Sequence, residues 1–378
     1  MERQITLGDV IAPAKVLRCD NDDYPVLSMT MHDGIVLQSN RFKKSLASID
    51  QSNYKVVLRG QLVVGFPIDE GVIYVQNIAE AGIMSPAYGV WNIHSKEILP
   101  EYLELCLHSP QSMDYYKNKL RGTTARRRSI TTGDLLALPI ILPSLTEQKR
   151  RIGLFRQTTL LLNSQKQTML KFDELVKSRF IELFVGKDYE EKSVRDVLDT
   201  AFWLMPATPE FVENGSVPYI TSKNIKNRSI DFDNVKYITI ESYESISSNR
   251  PTQIGDILIS MIGTLGQTAV IKDARRFYGQ NLYLLRLNAS VVNTIFFCEF
   301  FNSDHTQHKL QAKRNQSTQA YLKANHVEDL ILPLPPMEMQ EQFAAFVAEV
   351  DKSKLAVKQS LEELETLNKS LMQQYFGG

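Results

Sequence analysis

The sequence contains the same pattern twice, and this repeat restricts the possible folds more than any other feature. Ile130–Gly186 aligns with Leu322–Gly378 without a gap, at a constant offset of 192 residues. The matched positions include Gln148 with Gln340, Leu175 with Leu367, and Phe184 with Phe376. A period of about half the chain predicts two copies of one structural unit rather than a solenoid. Two such copies are expected to lie about a pseudo-two-fold axis, as the subunits of a symmetric dimer do.

Composition sets the class of protein. The chain has 378 residues with equal numbers of acidic and basic side chains, so the global charge neither favours nor excludes nucleic acid. Its three cysteines are scattered and odd in number, which predicts free thiols in a reducing cytoplasm. Residues 1–10 lack the apolar core of a signal peptide, and no apolar run approaches the roughly 20 residues of a membrane span.

Each half is predicted to be a globular α+β part followed by a long helix. Short apolar runs such as Lys55–Leu58 and Asp256–Ser260 are bounded by Gly, Pro and Asn, which is typical of strands. Leu99–Leu107 and Val291–Phe301 have the pattern of short helices. The predicted boundaries are residues 1–142 for the first globular part, 143–186 for the first long helix, 187–334 for the second globular part and 335–378 for the second long helix.

The two long helices are predicted to form an antiparallel coiled coil with each other. Apolar residues recur every three or four positions along the second helix, interrupted by Lys354 and Asn368. Residues 144–184 carry eight Lys and Arg against four Asp and Glu, whereas residues 336–375 carry four against seven. Opposite charges at flanking positions favour pairing of unlike helices. The alternative interpretation is that both charge balances are solvated faces.

The sequence contains no catalytic constellation that predicts an enzyme. There is no P-loop, no glycine-rich dinucleotide loop and no Asn-Pro-Pro-Tyr stretch typical of amino-methyltransferases. Glu147 and Lys149 have the spacing of a nuclease motif, but they lie at a helix start where Ser144 and Glu147 predict a capping box. His305 and His308 have helical spacing without further metal ligands, so we expect a surface helix and no metal.

Local basic clusters within this neutral chain predict contacts with DNA. Clusters at corresponding places in both copies, before each long helix, suggest a shared task, although a single cluster is commonly a solvated face. Cations mixed with hydroxyl and amide groups suit phosphates and base edges. The candidates in the first half are Arg41, Lys43, Lys44, Lys117, Lys119, Arg121, Thr123, Thr124, Arg126, Arg127 and Arg128. The candidates in the second half are Lys223, Asn224, Lys226, Arg228, Arg275, Arg276, Lys313, Arg314, Gln316 and Thr318.

The order of these features resembles the DNA-sequence specificity subunit of type I restriction–modification systems. The resemblance covers essentially the whole chain, and each short motif gains weight because the order is repeated. The motifs are the helix starts at Leu138–Gln148 and Leu330–Gln340, the run Gly255–Ser260 with Gly263–Gly266 after it, and Gly82–Tyr88 in the first half.

This resemblance implies two similar target-recognition domains joined by two long antiparallel helices. Each domain would read one half of a split, asymmetric site in double-stranded DNA, and the helices would fix the spacing. The resemblance also implies docking of two modification subunits, which bind S-adenosylmethionine and methylate adenine N6, with a motor–nuclease subunit added in a cleaving complex. This chain itself would be non-catalytic and bind no cofactor, in the cytoplasm of a bacterium or an archaeon.

Two other functions stay open at the level of sequence. A stand-alone nuclease or methyltransferase would require a cofactor motif that we do not find. A coiled-coil scaffold without DNA reading would leave the paired basic clusters and the two unlike globular halves without a purpose.

Overall fold

The chain divides into two compact units, and each unit contains parts of both long helices. The computed structural model describes residues 2–19, 24–31, 33–41, 51–120, 128–206, 208–213, 215–226, 228–263, 265–313 and 321–377, with only the backbone at residues 40 and 41. Unit 1 consists of Met1–Lys166 and Gln359–Gly378, and unit 2 consists of Gln167–Lys358. The boundaries predicted from the sequence make each long helix a region of its own, whereas the contacts in the structure place the two ends of each helix in different units.

The globular part of unit 1 is built from short strands and helices around a four-stranded antiparallel sheet. Its elements are β1 (Arg3–Thr6), β2 (Ile11–Pro13), β3 (Leu27–Met29), β4 (Ile35–Leu37), α1 (Gln38–Arg41), β5 (Lys55–Leu58), β6 (Leu62–Val64), β7 (Ile73–Val75), β8 (Ala81–Met84), β9 (Gly89–Ile93), α2 (Pro100–Leu107), α3 (Pro110–Lys119), α4 (Thr132–Leu136) and β10 (Pro139–Leu142). The main sheet has the order β2-β9-β6-β7, and β1 pairs with β10, β3 with β4 and β5 with β8. The first long helix, α5 (Leu145–Phe184), follows.

The globular part of unit 2 has the same plan with additional strands. Its elements are β11 (Glu190–Ser193), β12 (Leu198–Leu204), β13 (Val217–Ile220), β14 (Ile225–Lys226), β15 (Ser229–Ile230), β16 (Lys236–Ile238), α6 (Ile240–Ser247), β17 (Ile257–Ser260), β18 (Thr268–Val270), β19 (Tyr278–Gly279), β20 (Leu282–Leu287), α7 (Thr294–Asn302), α8 (Asp304–Lys313), α9 (Ala324–Glu328) and β21 (Ile331–Leu334). The sheets have the orders β12-β20-β17-β18 and β16-β13-β19, with the pairs β11-β21 and β14-β15. The second long helix is α10 (Met337–Phe376).

The repeat extends through the globular parts, because their main sheets correspond strand by strand. The order β2-β9-β6-β7 in unit 1 matches β12-β20-β17-β18 in unit 2, and β1-β10 matches β11-β21. The turns before β6 and β17 both require left-handed backbone, with φ of +84° at Gly60 and +93° at Gly255. Glycine adopts this region without the steric penalty of a Cβ atom. The predicted strands at residues 55–58 and 257–260 and the predicted short helices are present.

The residue after each of these glycines performs one structural task with different chemistry. In unit 1, Gln61 accepts a hydrogen bond from the Leu58 amide at 2.8 Å and donates to Asn92 at 2.9 Å. In unit 2, the buried Asp256 accepts from the Gln253 amide at 2.7 Å and from Arg286 at 2.7 and 2.8 Å. Both side chains accept a hydrogen bond from a backbone amide near the turn, and both join the turn to the neighbouring strand. Such substitution of partners explains how the halves keep one fold at low identity.

A buried glutamine anchors the start of each long helix to its globular part. Gln148 accepts from the Leu99 amide at 2.8 Å and donates to the Glu97 and Pro143 carbonyls at 2.8 and 3.0 Å. Gln340 makes the corresponding bonds with the Asn293 amide at 2.9 Å and with the Val291 and Pro335 carbonyls at 3.3 and 2.8 Å. Neither side chain is more than 1% exposed. Each buried side-chain amide therefore makes hydrogen bonds with three backbone groups at the junction.

Aromatic side chains at the end of each long helix complete the core of a unit. In unit 1, Phe376 of α10 packs on Tyr102 and Phe155, with ring centroids 5.7 and 5.9 Å apart. In unit 2, Phe184 of α5 packs on Phe296 and Phe343, at 4.8 and 5.4 Å. Within unit 1, then, the end of α10 meets the start of α5, and within unit 2 the end of α5 meets the start of α10. Buried aromatic surface supplies much of the stabilisation at such contacts.

A polar contact between the helices in unit 2 differs from the expectation based on net charge. Lys354, which interrupts the apolar pattern of α10, donates to Asp173 of α5 at 2.5 Å. The cation thus comes from the acidic helix and the carboxylate from the basic helix. The apolar and aromatic contacts therefore pair the helices in this unit, and Lys354 is accommodated by a local partner.

The sequence also predicted free cysteine thiols and no membrane-spanning segment. Cys19, Cys106 and Cys298 are buried and form no disulfide bond with one another, as the sequence predicted. Within the part of the chain that the structure describes, no helix combines the length and apolar character that crossing a lipid bilayer requires.

We expect the substitution Gln148→Leu to destabilise the protein by about 2–4 kcal/mol, because three partly or fully buried backbone groups lose a hydrogen bond, and an unsatisfied buried group costs roughly 1–3 kcal/mol. Gln340→Leu should have an effect of similar size. The free energy of unfolding, measured by urea denaturation, tests both changes. Gln157→Leu provides the matched control, since Gln157 is exposed on the same helix. Equal stability of Gln148→Leu and the control would contradict the anchoring role.

Candidate nucleic-acid interface

Many of the predicted DNA-binding residues lie outside the described residues, including the cores of the two corresponding basic clusters. These residues are Lys43, Lys44, Arg121, Thr123, Thr124, Arg126, Arg127, Arg314, Gln316 and Thr318, together with the side chain of Arg41. For them the sequence-based prediction stands untested. Most of the remaining candidates fall into three groups, according to what holds each side chain, and the others are described beside their neighbours.

The first group consists of cations on exposed helix ends. Lys117 and Lys119 lie in the last turn of α3, about half exposed, with Asp114 and Asp134 at 3.6 and 3.8 Å. Lys313 ends α8 and is exposed. Surface ion pairs of this kind contribute at most about 1 kcal/mol, so a phosphate can displace the carboxylate at little cost. These lysines are therefore available to contact the phosphates of a nucleic acid.

The second group consists of arginines that are tied to carboxylates with little exposure to solvent. Arg128 donates to Asp69 at 2.5 Å and to Glu70 at 2.9 Å, and the Asp69 side chain is 7% exposed. Arg228 bonds Glu299 of α7 at 2.9 Å from Nη2, and its Nη1 also contacts that carboxylate. These bonds neutralise both guanidinium groups, which favours a role in positioning the adjacent segments over direct binding of phosphate.

The Arg228–Glu299 pair ties the residue that precedes β15 to α7. Arg228 has a φ of 61° and forms a bridge with Ala269 of β18. Burial raises the pKa of the Glu299 carboxyl, and the positive charge of Arg228 opposes that rise. The pair therefore positions the start of β15, which pairs with the β14 strand that ends at Lys226.

Hydrogen bonds of Asn224 and Lys226 hold the segment that carries the other candidates of this cluster. Asn224 accepts from the Thr221 amide at 3.0 Å and donates to the Asp231 carbonyl at 3.0 Å. Lys226 bonds Asp231 at 2.7 Å, and Lys223 is exposed. Asn224 is therefore engaged in the local backbone structure and Lys226 is paired with Asp231, whereas Lys223 is exposed to solvent.

The third group consists of cations that stack on aromatic rings. The Arg275 guanidinium lies 4.5 Å from the centroid of Phe232, so the fold brings together two basic clusters that are distant in sequence. Ser229, Phe232, Lys272 and Arg275 line a groove of about 260 Å³. Arg276 beside it is exposed. Sequence reasoning missed Lys272, although it lies only three residues before the cluster of Arg275 and Arg276.

A second stacked cation was also missed. Lys236, the first residue of β16, lies 4.3 Å from the centroid of Phe211, which packs on the buried Tyr219 of β13. No sequence signal connects Lys236 with Phe211, since the contact depends on the pairing of β13 with β16. Stacking on a ring holds a cation without neutralising it.

The groups considered for catalysis have structural explanations. Burial raises the pKa of the Cys106 and Cys298 thiols to about 12, which makes both inert as nucleophiles near neutral pH. Hydrogen bonds from Arg150 and Arg151 lower the pKa of Glu147 to about 2, and its amide donates to Ser144 Oγ at 3.3 Å. Ser144 thus caps α5 as predicted. In the described ranges, no group of three or more His, Cys, Asp or Glu side chains has the arrangement of a metal site.

The match to a known protein family lies in the second half of the chain. Residues 186–366 match the model of the type I restriction modification DNA specificity domain. A curated protein of Methanocaldococcus jannaschii, assigned as the type I restriction enzyme MjaX specificity subunit, is 26% identical over 201 residues. That match covers 51% of this chain, and it spans about half (46%) of the relative's length.

Solved structures resemble the fold over the whole chain. A structure described as concerning complex assembly and conformational transition of the type I R-M system has a TM-score of 0.59 at 18% identity, covering 99% of this chain and 97% of the other. The S subunit of a type I system from M. genitalium has a TM-score of 0.55 at 12% identity, covering 100% and 96%. At these identities the likeness concerns the fold.

We expect Arg228→Met to destabilise unit 2 by about 3–5 kcal/mol at neutral pH, because it leaves the Glu299 carboxylate buried without its partner. Without that cation the pKa of Glu299 rises further above its usual value, so the folded protein binds a proton more tightly than the unfolded chain. The loss should therefore diminish as the pH falls and grow as it rises. Urea denaturation at several pH values provides the measurement.

Glu299→Gln in the Arg228→Met background is the matched control. Removing the buried charge should restore part of the stability and remove the pH dependence. An unaltered pH profile in the double variant would contradict the proposed origin of the effect.

Proposed function

Because the chain belongs to the type I restriction–modification DNA specificity family, we propose that it is the subunit that gives such a complex its DNA sequence. It binds double-stranded DNA at a bipartite, asymmetric site, and each globular part reads one half. It performs no chemistry itself and binds no cofactor. Adenine N6 methylation is carried out by two docked modification subunits that bind S-adenosylmethionine, in the cytoplasm of a bacterium or an archaeon.

The observation that carries this proposal is one scaffold presenting two different sets of polar side chains. The main sheets and the anchoring glutamines Gln148 and Gln340 correspond between the halves. Among the described residues, the individual charged contacts stand at different places in the two halves, since Lys236 and Arg275 stack on rings in unit 2 and Arg128 pairs with Asp69 in unit 1. Two unlike readers on similar supports suit an asymmetric target, because phosphate contacts position a protein while base contacts specify the sequence.

The long helices support the proposed spacing and assembly roles. We propose that α5 and α10 run antiparallel along their length and set the separation of the two half-sites. Each has 40 residues, or about 60 Å at 1.5 Å per residue. Both also expose apolar side chains that their own contacts leave uncovered, in unit 1 (Leu160, Leu161 and Leu367) and in unit 2 (Leu170, Leu175 and Leu355). An exposed leucine set in each unit suits one docked modification subunit per unit.

Co-expression with a cognate modification subunit, followed by mapping of N6-methyladenine across the host genome, tests the proposal. We expect a split motif with a fixed spacer that disappears when this chain is omitted. Methylation by the purified chain alone would instead establish a stand-alone enzyme. A complex that assembles without any methylation motif would contradict the specificity role. Addition of a motor–nuclease subunit tests whether the same site directs cleavage.

We expect the double substitution Leu160→Glu with Leu161→Glu to remove the modification subunit from one of its two positions, because two charges would be buried in an apolar contact. DNA binding by the isolated chain should be unchanged. Native mass spectrometry of the co-expressed complex measures the number of bound subunits. Leu58→Glu is the matched control, since Leu58 is an exposed leucine of β5 in the same unit. Two bound subunits in the double variant would contradict this docking surface.

A further inference from the structure

Arg275 is held in place by a column of aromatic rings that begins in the core of unit 2. Its guanidinium lies 4.5 Å from the centroid of Phe232, and that ring packs edge-on against Phe277 at 5.7 Å. Phe277 is 2% exposed. The Arg275 backbone is fixed as well, since its amide donates to Asp273 Oδ1 at 2.9 Å. An exposed arginine with both its backbone and its side chain restrained has already lost much of the freedom that binding would remove.

The hydrogen-bonding groups of Arg275 are nevertheless available. Within the described ranges, no carboxylate or carbonyl oxygen accepts from its guanidinium. Arg128, Arg228 and Arg286 differ, because carboxylates occupy their donors. Stacking engages the face of the guanidinium plane and leaves its N–H edge free. Arg275 therefore presents a rigid fork of donors to the solvent.

The surroundings of Arg275 suit a DNA strand. The groove of about 260 Å³ beside it is lined by the apolar Ile230 and Phe232 and by the cation Lys272. Lys226 of β14 is also exposed and pairs with Asp231 at 2.7 Å, a surface pair that a phosphate can displace, and Asp273 lines the groove as well. A flexible lysine binds a phosphate as a point charge, whereas a planar fork in a fixed orientation matches a partner that offers two acceptors in a fixed geometry. The edge of a guanine is such a partner, and so is a phosphate, which the test below distinguishes.

We propose that Arg275 reads a guanine in the half-site bound by unit 2, donating to O6 and N7 on the major-groove edge, and that Phe232 is its positioning residue. Guanine offers there the two acceptors that match the bidentate arginine fork. This inference rests on the proposed function, because it assumes that unit 2 reads one half-site. It separates Arg275 from the other candidates as a base contact rather than a phosphate contact.

The test uses the complex with its modification subunit and maps the methylated motif for the wild type, Arg275→Ala, Arg275→Lys and Phe232→Leu. We expect one guanine of one half-site to become degenerate in Arg275→Ala, with discrimination at that position falling by about 5- to 150-fold. Arg275→Lys should lose most of that discrimination, and Phe232→Leu part of it. The other half-site and the spacer should be unchanged. Arg195→Ala is the control, an exposed arginine of the same unit paired with Asp329.

The outcomes separate the two proposals. If the wild-type complex gives no split motif, the proposed function fails and this inference fails with it. If the wild type gives a split motif and Arg275→Ala gives the same motif with equal discrimination, only the reading role is overturned. Uniformly weaker binding at every position, with a shallower salt dependence, would identify a phosphate contact and would likewise overturn it.

Discussion

A buried glutamine amide at the start of each long helix joins that helix to its globular part, and the packing of each unit depends on this junction. Gln148 and Gln340 each satisfy one N–H and two carbonyl groups at the junction of a globular part and a helix. A buried backbone group without a partner costs roughly 1–3 kcal/mol, so the amide restricts the helix to one direction of departure. Within each unit, the aromatic contacts of Phe376 or Phe184 at the end of the other long helix complete the core beside that anchored helix start.

The partners of the arginines show which guanidinium groups are neutralised and which keep their donors available more clearly than their exposure does. Arg228 positions the start of β15 because Glu299 neutralises it inside the unit. Arg275 is held to a similar degree, but by a ring that leaves its charge and its donors intact. Both residues appear in basic stretches of the sequence, and only their partners differ. A cation stacked on an aromatic ring keeps its charge and its donors available for a ligand, whereas a cation paired with a carboxylate has its charge neutralised.

Much of the fold follows from the sequence, and the site follows only in part. The repeat predicted two copies of one plan, and the main sheets correspond. The charge balances of the helices predicted complementary pairing, yet Lys354 and Asp173 pair in the opposite sense. Net charge averages over the whole helix surface, whereas pairing depends on the few residues at the contact. For the same reason the basic clusters could not reveal that Lys236 stacks on Phe211, a contact that strand pairing creates.

The sequence by itself determined the doubled architecture, the two long helices and the absence of a disulfide framework, because these depend on periodicity and composition along the chain. The family resemblance also rests on that linear order. The tertiary structure alone decided that each unit uses the end of one helix and the start of the other. It also decided which cations are neutralised and which stay available. These properties depend on distances between residues far apart in sequence, and such distances are set only when the chain packs.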